Sequence, residues 1–166
     1  EYFNKSLAIN LKRGLTKKII ANYDDLGIDN KQMGNYEEAL MYCKKTIKLS
    51  EDGGSTKGLA TGYGNLAIIY VEMGQYDIAI ESFQISNKNH ESIDDHYNCA
   101  EGYVGLAQCY FHIKNYYKAS EYAEKAVAIS QKFQYKTTLT AAYQLLAHIY
   151  STQKNYQNAF KYMELF

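Results

Sequence analysis

Two of the four histidines and the three cysteines are the residues of this 166-residue chain best suited to bind a metal or act as a nucleophile. His112 and His148 could share a metal ion only with a further ligand such as Glu72, because zinc sites use at least three protein ligands. The cysteines form no C-x-x-C pair; they are Cys43, Cys99 and Cys109. We therefore expect no metal and no cofactor. We expect Cys109 to be buried as a packing residue.

Two pairs of adjacent carboxylates and one glycine-rich stretch could also mark an active site. Asp24–Asp25 and Asp94–Asp95 could serve acid–base catalysis, yet acidic residues also favour helix N-termini. We interpret both pairs as solvated helix caps. The stretch EDGGSTKG at 51–58 lacks the glycine spacing of a nucleotide-binding loop, and we interpret it as a turn. These patterns predict a protein that is not an enzyme.

The composition argues against several classes of protein. The chain has 18 basic and 18 acidic residues, and a net charge of zero gives no support for nucleic-acid binding. Its apolar runs are far shorter than the roughly 20 residues that cross a bilayer, and the N-terminus lacks the pattern of a signal peptide. With its unpaired cysteines, the chain is predicted to be cytoplasmic.

One pattern recurs four times at a constant interval, without insertion or deletion. Each unit repeats a tyrosine, a leucine, a small residue, a second tyrosine and an alanine. These columns are Tyr23, Tyr63, Tyr103 and Tyr143; Leu26, Leu66, Leu106 and Leu146; Gly27, Ala67, Ala107 and Ala147; Tyr36, Tyr76, Tyr116 and Tyr156; and Ala39, Ala79, Ala119 and Ala159. A period of this length indicates stacked structural repeats.

Each unit contains two stretches with helical spacing. Tyr63, Leu66, Ala67 and Tyr70 are spaced i, i+3, i+4, i+7, which places them on one face of a helix. We therefore predict one helical hairpin per unit, with tyrosine rings filling the gaps between helices and their hydroxyls reaching an edge or a partner. The hairpins must stack, because a single hairpin cannot cover its own apolar face.

Glycine supports the turn inside the first two hairpins. Gly34 and Gly74 fit the left-handed position that ends a helix. The third and fourth units have a lysine at this position, followed by Asn115 and Asn155. We expect these two turns to be looser, with the asparagines taking the strained backbone angles.

The recurring columns resemble the tetratricopeptide repeat (TPR) family, whose units carry an aromatic residue, Leu-small, a second aromatic residue, Gly-x-Tyr and Ala-x-x-x-Phe. The second unit matches best, with Tyr63, Leu66, Ala67, Tyr70, Gly74, Tyr76, Ala79 and Phe83. In the other units Cys43, Ala123 and Met163 replace the phenylalanine. The resemblance implies an all-α fold, a right-handed superhelical stack of antiparallel helical hairpins.

Two features depart from the common repeat of this family. The period is about 40 residues rather than about 34, and the closing proline is missing. The resemblance implies helices that are longer by about two turns combined. This long variant is similar to the repeats of the Pins/LGN spindle-orientation scaffolds, of Rap-type peptide receptors and of regulatory modules in some bacterial sensor kinases, all of which bind a protein segment or peptide.

The repeat frame predicts a single solenoid over residues 1–166. We expect residues 1–12 to form the second helix of a truncated unit, 13–52, 53–92 and 93–132 to form full units, and 133–166 to form a final incomplete unit. Solenoids normally carry polar capping helices, and we recognise none in this sequence. We therefore expect a piece of a longer protein, whose uncapped ends could mediate self-association.

The family lines a concave groove with the first helix of each unit, so the resemblance places binding residues there, at positions that vary between units. The implied set for a protein or peptide ligand is Asp24, Ile28, Lys31, Gln32, Asn65, Ile68, Glu72, Gln108, Phe111, His112, Gln144 and His148. Gly64, Val104 and Gly105 lie on the same faces. Phe111 could anchor an apolar side chain of the ligand or pack on the next unit.

Some members of the family clamp the C-terminal carboxylate of a peptide with basic residues and an asparagine. Asn65 matches the asparagine, but the basic positions hold Asp24, Ile28, Glu101 and Gly105. The resemblance therefore does not extend to that binding mode.

The sequence predicts a protein-interaction module that binds a peptide or protein segment in its groove, with no nucleic acid and no membrane insertion. The alternative is a sensor or regulatory segment of a larger signalling protein, such as a kinase or a transcription regulator.

Overall fold

The computed structural model describes residues 2–165, with side chains from Lys5 onward, and every regular element in this range is an α-helix. The helices are α1 (Tyr2–Lys12), α2 (Thr16–Gln32), α3 (Tyr36–Asp52), α4 (Thr56–Glu72), α5 (Tyr76–Ser92), α6 (His96–His112), α7 (Tyr116–Phe133), α8 (Lys136–Thr152) and α9 (Tyr156–Met163). The prediction of an all-α stack of helical hairpins is confirmed.

Two kinds of helix contact build the stack. Each helix packs against the next one along the chain, and the first helices of successive hairpins, α2, α4, α6 and α8, also contact one another. In the described residues no comparable contact joins the second helices α3, α5, α7 and α9. The first helices therefore form the inner, more crowded side of the array.

Short turns between the helices each contain a residue with positive φ, at a regular spacing of half a repeat unit. The first four of these residues are glycines, Gly14, Gly34, Gly54 and Gly74, and the last four are Asp94, Lys114, Gln134 and Lys154. The GlyGly stretch at 53–54 lies in the turn between α3 and α4, as predicted. Glycine takes a left-handed conformation without the steric penalty that a side chain incurs.

The prediction that Asn115 and Asn155 take the strained angles is wrong. Lys114 and Lys154 have φ values of 62° and 60°, whereas the asparagines have φ values of −87° and −85°. Each asparagine side chain instead accepts a hydrogen bond from the backbone N–H three residues later. Asparagine is a favoured N-cap for this reason, so these residues begin the next helix rather than absorb the strain of the turn.

The lysine turns are also not looser than the glycine turns, contrary to expectation. The Lys114 N–H donates to the Phe111 carbonyl at 2.9 Å, and the Gly34 N–H donates to the Lys31 carbonyl at the same distance. The backbone hydrogen bonds of the turn are therefore the same with lysine as with glycine. Lysine adopts the same left-handed conformation and incurs the steric penalty of a residue with a Cβ.

The repeated columns form the core. The alanines Ala39, Ala79 and Ala119 are completely buried, and Leu106 and Leu146 are at most 1% exposed. Alanine at these positions allows neighbouring helices to approach closely, and leucine fills the space that remains. The alanine and leucine columns are therefore packing positions, as the sequence predicts, whereas Tyr156 in the last unit is exposed.

Tyrosine rings pack between helices, and several hydroxyls find partners, which confirms the prediction. Tyr110 stacks on Tyr122 at 5.4 Å, and Tyr150 stacks on Tyr162 in the same way one unit later, at 5.7 Å. The Tyr103 hydroxyl donates to Glu91. Ring stacking and hydroxyl hydrogen bonds therefore both join neighbouring helices.

The last helix, α9, exposes several apolar side chains. They are Tyr156, Phe160 and Met163, with Leu165 just beyond the helix. Self-association through this surface stays a prediction. Within residues 2–165, no helix combines the length and apolar character that crossing a bilayer requires.

Candidate functional site

A cleft of about 430 Å³ opens on the inner side of the array between α4 and α6. Thr61, Asn65 and Ile68 of α4 form one wall, and residues of α6, including Glu101 and Gln108, form the other. We call this space the α4–α6 cleft. Three residues of the predicted binding set, Asn65, Ile68 and Gln108, line it together.

Two glycines, Gly64 and Gly105, allow α5 to form the floor of the α4–α6 cleft. A Cβ added to Gly105 would stand 2.4 Å from the Phe83 ring, and a Cβ added to Gly64 would stand 3.1 Å from Ser86 Oγ. The second helix α5 therefore reaches the cleft between the two first helices, and Phe83 and Ser86 are among its lining residues. The cleft thus has an aromatic floor and walls that combine apolar residues with a few polar groups, as is typical of binding sites.

Asn65 carries an unsatisfied donor in the α4–α6 cleft. Its Nδ2 is buried and has no hydrogen-bond partner among the described residues. Leaving a buried donor unpaired costs about 1–3 kcal/mol. A carbonyl oxygen of a ligand would remove that cost once the Asn65 amide turned toward the open part of the cleft.

A hydrogen-bond network centred on Asp95 lies at the end of the cleft where α6 begins. Asp95 Oδ2 accepts from His90 Nδ1 at 3.1 Å and from Asn98 Nδ2 at 2.8 Å, and its Oδ1 accepts from the Asn98 backbone N–H. Asp95 is the N-cap of α6, which confirms the cap prediction for this residue. His90 and Asn98 also line the α4–α6 cleft.

The protonation states in this network follow from burial and from hydrogen bonding. Burial lowers the pKa of His90 and outweighs the opposing attraction of Asp95, so the ring is neutral at neutral pH. Burial would raise the pKa of Asp95, but the hydrogen bonds from Asn98 and His90 bring it below its usual value. Asp95 is therefore an ionised acceptor that receives hydrogen bonds from both neighbours.

A second polar contact crosses from α8 to the cleft. The Thr138 hydroxyl donates to Glu101 Oε1. Thr138 is only 1% exposed, so its single hydroxyl hydrogen is committed to this bond. Glu101 is exposed and keeps its second carboxylate oxygen for other partners.

Four other predicted residues of α2 and α4 lie beside the cleft rather than in it. Lys31 and Glu72 form an ion pair at 3.5 Å, which links the ends of the two helices. Ile28 borders a very small gap between α2 and α4. Gln32 is exposed at the end of α2.

Asp24 is not a helix cap, contrary to the prediction for the Asp24–Asp25 pair. Both residues lie inside α2, and Asp24 Oδ1 accepts a 2.9 Å hydrogen bond from Thr46 Oγ1. Burial raises the pKa of Asp24 to about 6; the hydrogen bond from Thr46 opposes this rise, and the charge of Asp25 adds to it. Asp24 is thus a half-buried carboxylate held against α3.

The predicted aromatic and histidine residues pair with each other or with core residues. The Phe111 ring lies 4.8 Å from the His148 ring on α8, and Phe111 is half-buried. His112 stacks on Tyr76 at 4.6 Å. Gln144 is exposed on α8. Phe111 therefore packs on the next unit, the second of the two roles considered for it, and its role as a ligand anchor stays a prediction.

Sequence reasoning missed several lining residues of the α4–α6 cleft or did not choose them for binding. They are Thr61, Phe83, Ser86, His90, Asn98 and Glu101. Thr61 and Glu101 are one repeat apart, so they occupy one column on the groove face. The column of His90 holds Asn10, Ser50 and Ser130 in the other units. A histidine in a column of small polar residues was the signal that could have identified it.

The cysteines lie in the core. All three are free and buried, and Cys109, at 0% exposure, is a packing residue, as predicted. Burial raises the pKa of Cys43 and Cys109 to about 12, so neither is a thiolate at neutral pH. Residues 2–165 contain no group of three or more His, Cys, Asp or Glu side chains arranged to hold a metal ion.

The tetratricopeptide repeat family model matches residues 18–86, 58–132 and 98–165, which together cover most of the chain. The chain belongs to the tetratricopeptide repeat family. No curated protein sequence matches it significantly.

Solved TPR structures share the fold at low sequence identity. BtubC (BKLC) from P. vanneervenii is 19% identical with a TM-score of 0.82, over 90% of this chain and 62% of that one. A STAND protein with a tetratricopeptide repeat sensor, from Pyrococcus horikoshii, is 21% identical with a TM-score of 0.80, over 95% of this chain and 27% of that one. The apo form of RapI is 17% identical with a TM-score of 0.81, over 98% of this chain and 67% of that one.

These likenesses establish the fold. The TPR chain described here spans less than two thirds of the length of the first two of these proteins. The similarity to RapI agrees with the Rap-type resemblance drawn from the long repeat period.

Proposed function

We propose that this TPR chain is a protein-interaction module that binds an extended peptide or protein segment in the α4–α6 cleft. The observation that carries the proposal is the unsatisfied, buried Asn65 Nδ2 at the wall of an open cleft with an aromatic floor. A peptide backbone offers carbonyl oxygens at regular intervals, so it supplies the acceptor that Asn65 lacks.

The other lining residues fit the same ligand. Gln108 has a side-chain amide that can both donate to and accept from a peptide backbone. Phe83, beneath the cleft, offers an apolar surface for a side chain of the ligand. The family as a whole binds protein or peptide partners, which agrees with this assignment.

The test is a selection of binders from a random-peptide display library, followed by calorimetry with variants. Asn65→Ala is expected to weaken the selected peptides by about tenfold, the effect of losing one well-formed buried hydrogen bond. Gln157→Ala is the matched control, because Gln157 is exposed on α9, away from the cleft. Selected peptides that bind the wild type and Asn65→Ala equally would show that the ligand site lies elsewhere.

A second candidate is a sensor segment of a larger signalling protein. It is favoured by the structural likeness to the STAND protein whose TPR array is described as a sensor. Both candidates use the same cleft, but the second also requires an output domain in the same polypeptide. An ATPase, kinase or DNA-binding domain encoded beside these repeats would favour it, and its absence from the complete gene would exclude it.

A further inference from the structure

We propose, building on the peptide-binding function above, that a basic side chain of the bound segment binds at the end of the α4–α6 cleft where α6 begins. The positively charged group would lie against the Glu101 carboxylate, with Asn98 Oδ1 and His90 Nε2 as further acceptors. The ligand is therefore a peptide with an arginine or lysine, rather than an acidic or carboxyl-terminal segment.

The hydrogen-bond network fixes which polar atoms remain available. An ionised carboxylate can only accept hydrogen bonds. Asp95 therefore requires that His90 Nδ1 carry its proton and that the Asn98 amide point its nitrogen inward. What these side chains can offer a ligand is a lone pair on His90 Nε2 and the carbonyl oxygen Oδ1 of Asn98.

Glu101 adds a third acceptor with a negative charge. Its Oε1 already receives the hydroxyl hydrogen of Thr138, which holds the carboxylate in place at the mouth of the cleft. Its Oε2 can accept from a ligand. The His90 Nδ1–H and the Thr138 hydroxyl are thus used internally, and the acceptors Glu101 Oε2, Asn98 Oδ1 and His90 Nε2 are available for a ligand.

The charges of the residues that line the cleft also favour a basic ligand. Among the described lining residues Glu101 is the only one with a formal charge at neutral pH, and none is a lysine or arginine. A carboxylate ligand would therefore meet repulsion without a compensating cation, whereas an arginine or lysine would meet a complementary charge. Arginine has five donors and suits a set of separate acceptors better than lysine.

Lys57 is a cation that could compete with a basic ligand. It is exposed on the first turn of α4 and lies close enough to His90 to contribute to the lowering of that residue's pKa. Lys57 is not among the lining residues of the cleft. Replacing it with glutamine is expected to strengthen the binding of a basic peptide by removing a like charge.

The experiment compares peptides selected from a random display library against the wild-type chain and against Glu101→Gln. Wild-type binders are expected to be enriched in arginine or lysine at one position. Replacing that arginine with citrulline, its neutral isostere, should weaken binding about fivefold, and so should Glu101→Gln. A loss of this size is typical of a partly exposed ion pair. Glu101→Gln keeps the size of the side chain, and circular dichroism checks that it folds.

Glu81→Gln is the matched control. Glu81 is exposed on α5, about two and a half turns before His90, and so faces the opposite side of the helix. This variant should bind the basic peptides as the wild type does.

The outcomes separate this proposal from the proposed function. If the selected peptides depend on Asn65 but show no basic preference, or bind Glu101→Gln unchanged, the basic-ligand proposal is wrong and the peptide-binding function stands. If no selected peptide depends on Asn65, both are overturned. Enrichment of acidic peptides would contradict the charge argument directly.

Discussion

In this TPR chain, residues at equivalent positions of different units have different roles, because they contact different neighbours. Asp24 and Gly64 occupy the same column, one repeat apart. Asp24 is held against Thr46 on α3, whereas Gly64 borders the α4–α6 cleft and leaves room above Ser86. One column therefore supplies a half-buried carboxylate in one unit and a glycine that borders the cleft in the next.

Asp24 should make the stability of the chain depend on pH. Its pKa is about 6 in the folded state and 3.8 in the reference state, so between these values the folded chain binds more protons than the unfolded chain. Stability is therefore expected to fall as pH rises from about 4 to about 6. Asp24→Asn should raise the free energy of unfolding at pH 7 by about 1–2 kcal/mol, after allowance for partial exposure.

The measurement is urea unfolding of the wild type and Asp24→Asn across this pH range. The variant should lose the contribution of Asp24 to the slope, so its stability should fall less between pH 4 and pH 6 than that of the wild type. Glu81→Gln serves as a control, because Glu81 is an exposed acid on α5 beyond the first turn of the helix. A slope that persists in Asp24→Asn would assign the pH dependence to other groups.

At the scale of whole elements, the turns divide the array into two halves. Glycine occupies the positive-φ position up to residue 74, and residues with side chains occupy it from residue 94 onward. The first helices on either side of this boundary have the same length; α4 and α6 both have 17 residues. The second half therefore bears steric cost in its turns that the first half does not.

Lys114→Gly should stabilise the chain by about 1 kcal/mol, because the left-handed conformation costs about 1–2 kcal/mol for a residue with a Cβ. Gly34→Lys, the reverse change at the equivalent turn, should destabilise it by a similar amount. Chemical unfolding of both variants measures the difference. Equal stabilities would mean that the turn backbone relaxes away from positive φ when its residue changes.

The close approach of α5 and α6 provides a second prediction at the scale of whole elements. Gly105→Ala should destabilise the chain by about 1–3 kcal/mol, since its Cβ would overlap the buried Phe83 ring. Gly64→Ala is the matched control: its Cβ would meet only Ser86, with Oγ at 3.1 Å, and alanine favours a helix by up to about 1 kcal/mol over glycine. Thermal unfolding distinguishes them, and a stabilised Gly105→Ala would show that α5 and α6 can separate without cost.

The whole molecule is a one-dimensional array, in which helices contact only near neighbours. Stability in such arrays is approximately a sum of local terms. Leu146→Ala, in the core of the last hairpin, should therefore cost about 2–5 kcal/mol and reduce hydrogen-exchange protection mainly in α8 and α9. Leu26→Ala should have the mirror effect in α2 and α3. Uniform loss of protection in both variants would show that the array unfolds as a single unit.

The periodic part of this architecture could be predicted from the sequence, and the cleft only in part. Constant columns such as that of Leu106 and Leu146 identify the core because close packing demands the same residue in each unit. The resemblance to the family, together with variation between units, predicts Asn65, Ile68 and Gln108 in the groove. The contribution of α5 could not be predicted, because Phe83 and His90 reach the cleft only through the close approach that Gly105 and its neighbours permit.

The equal spacing of the turns has a consequence for how such an array can grow. The link within a hairpin, at 33–35, and the link between hairpins, at 53–55, have the same length and the same left-handed middle residue. A copied segment that starts at residue 16 or at residue 36 therefore carries an equivalent join at its border. Duplication of a segment of about 40 residues that starts at either position would therefore extend the stack with the turn geometry that the array already uses.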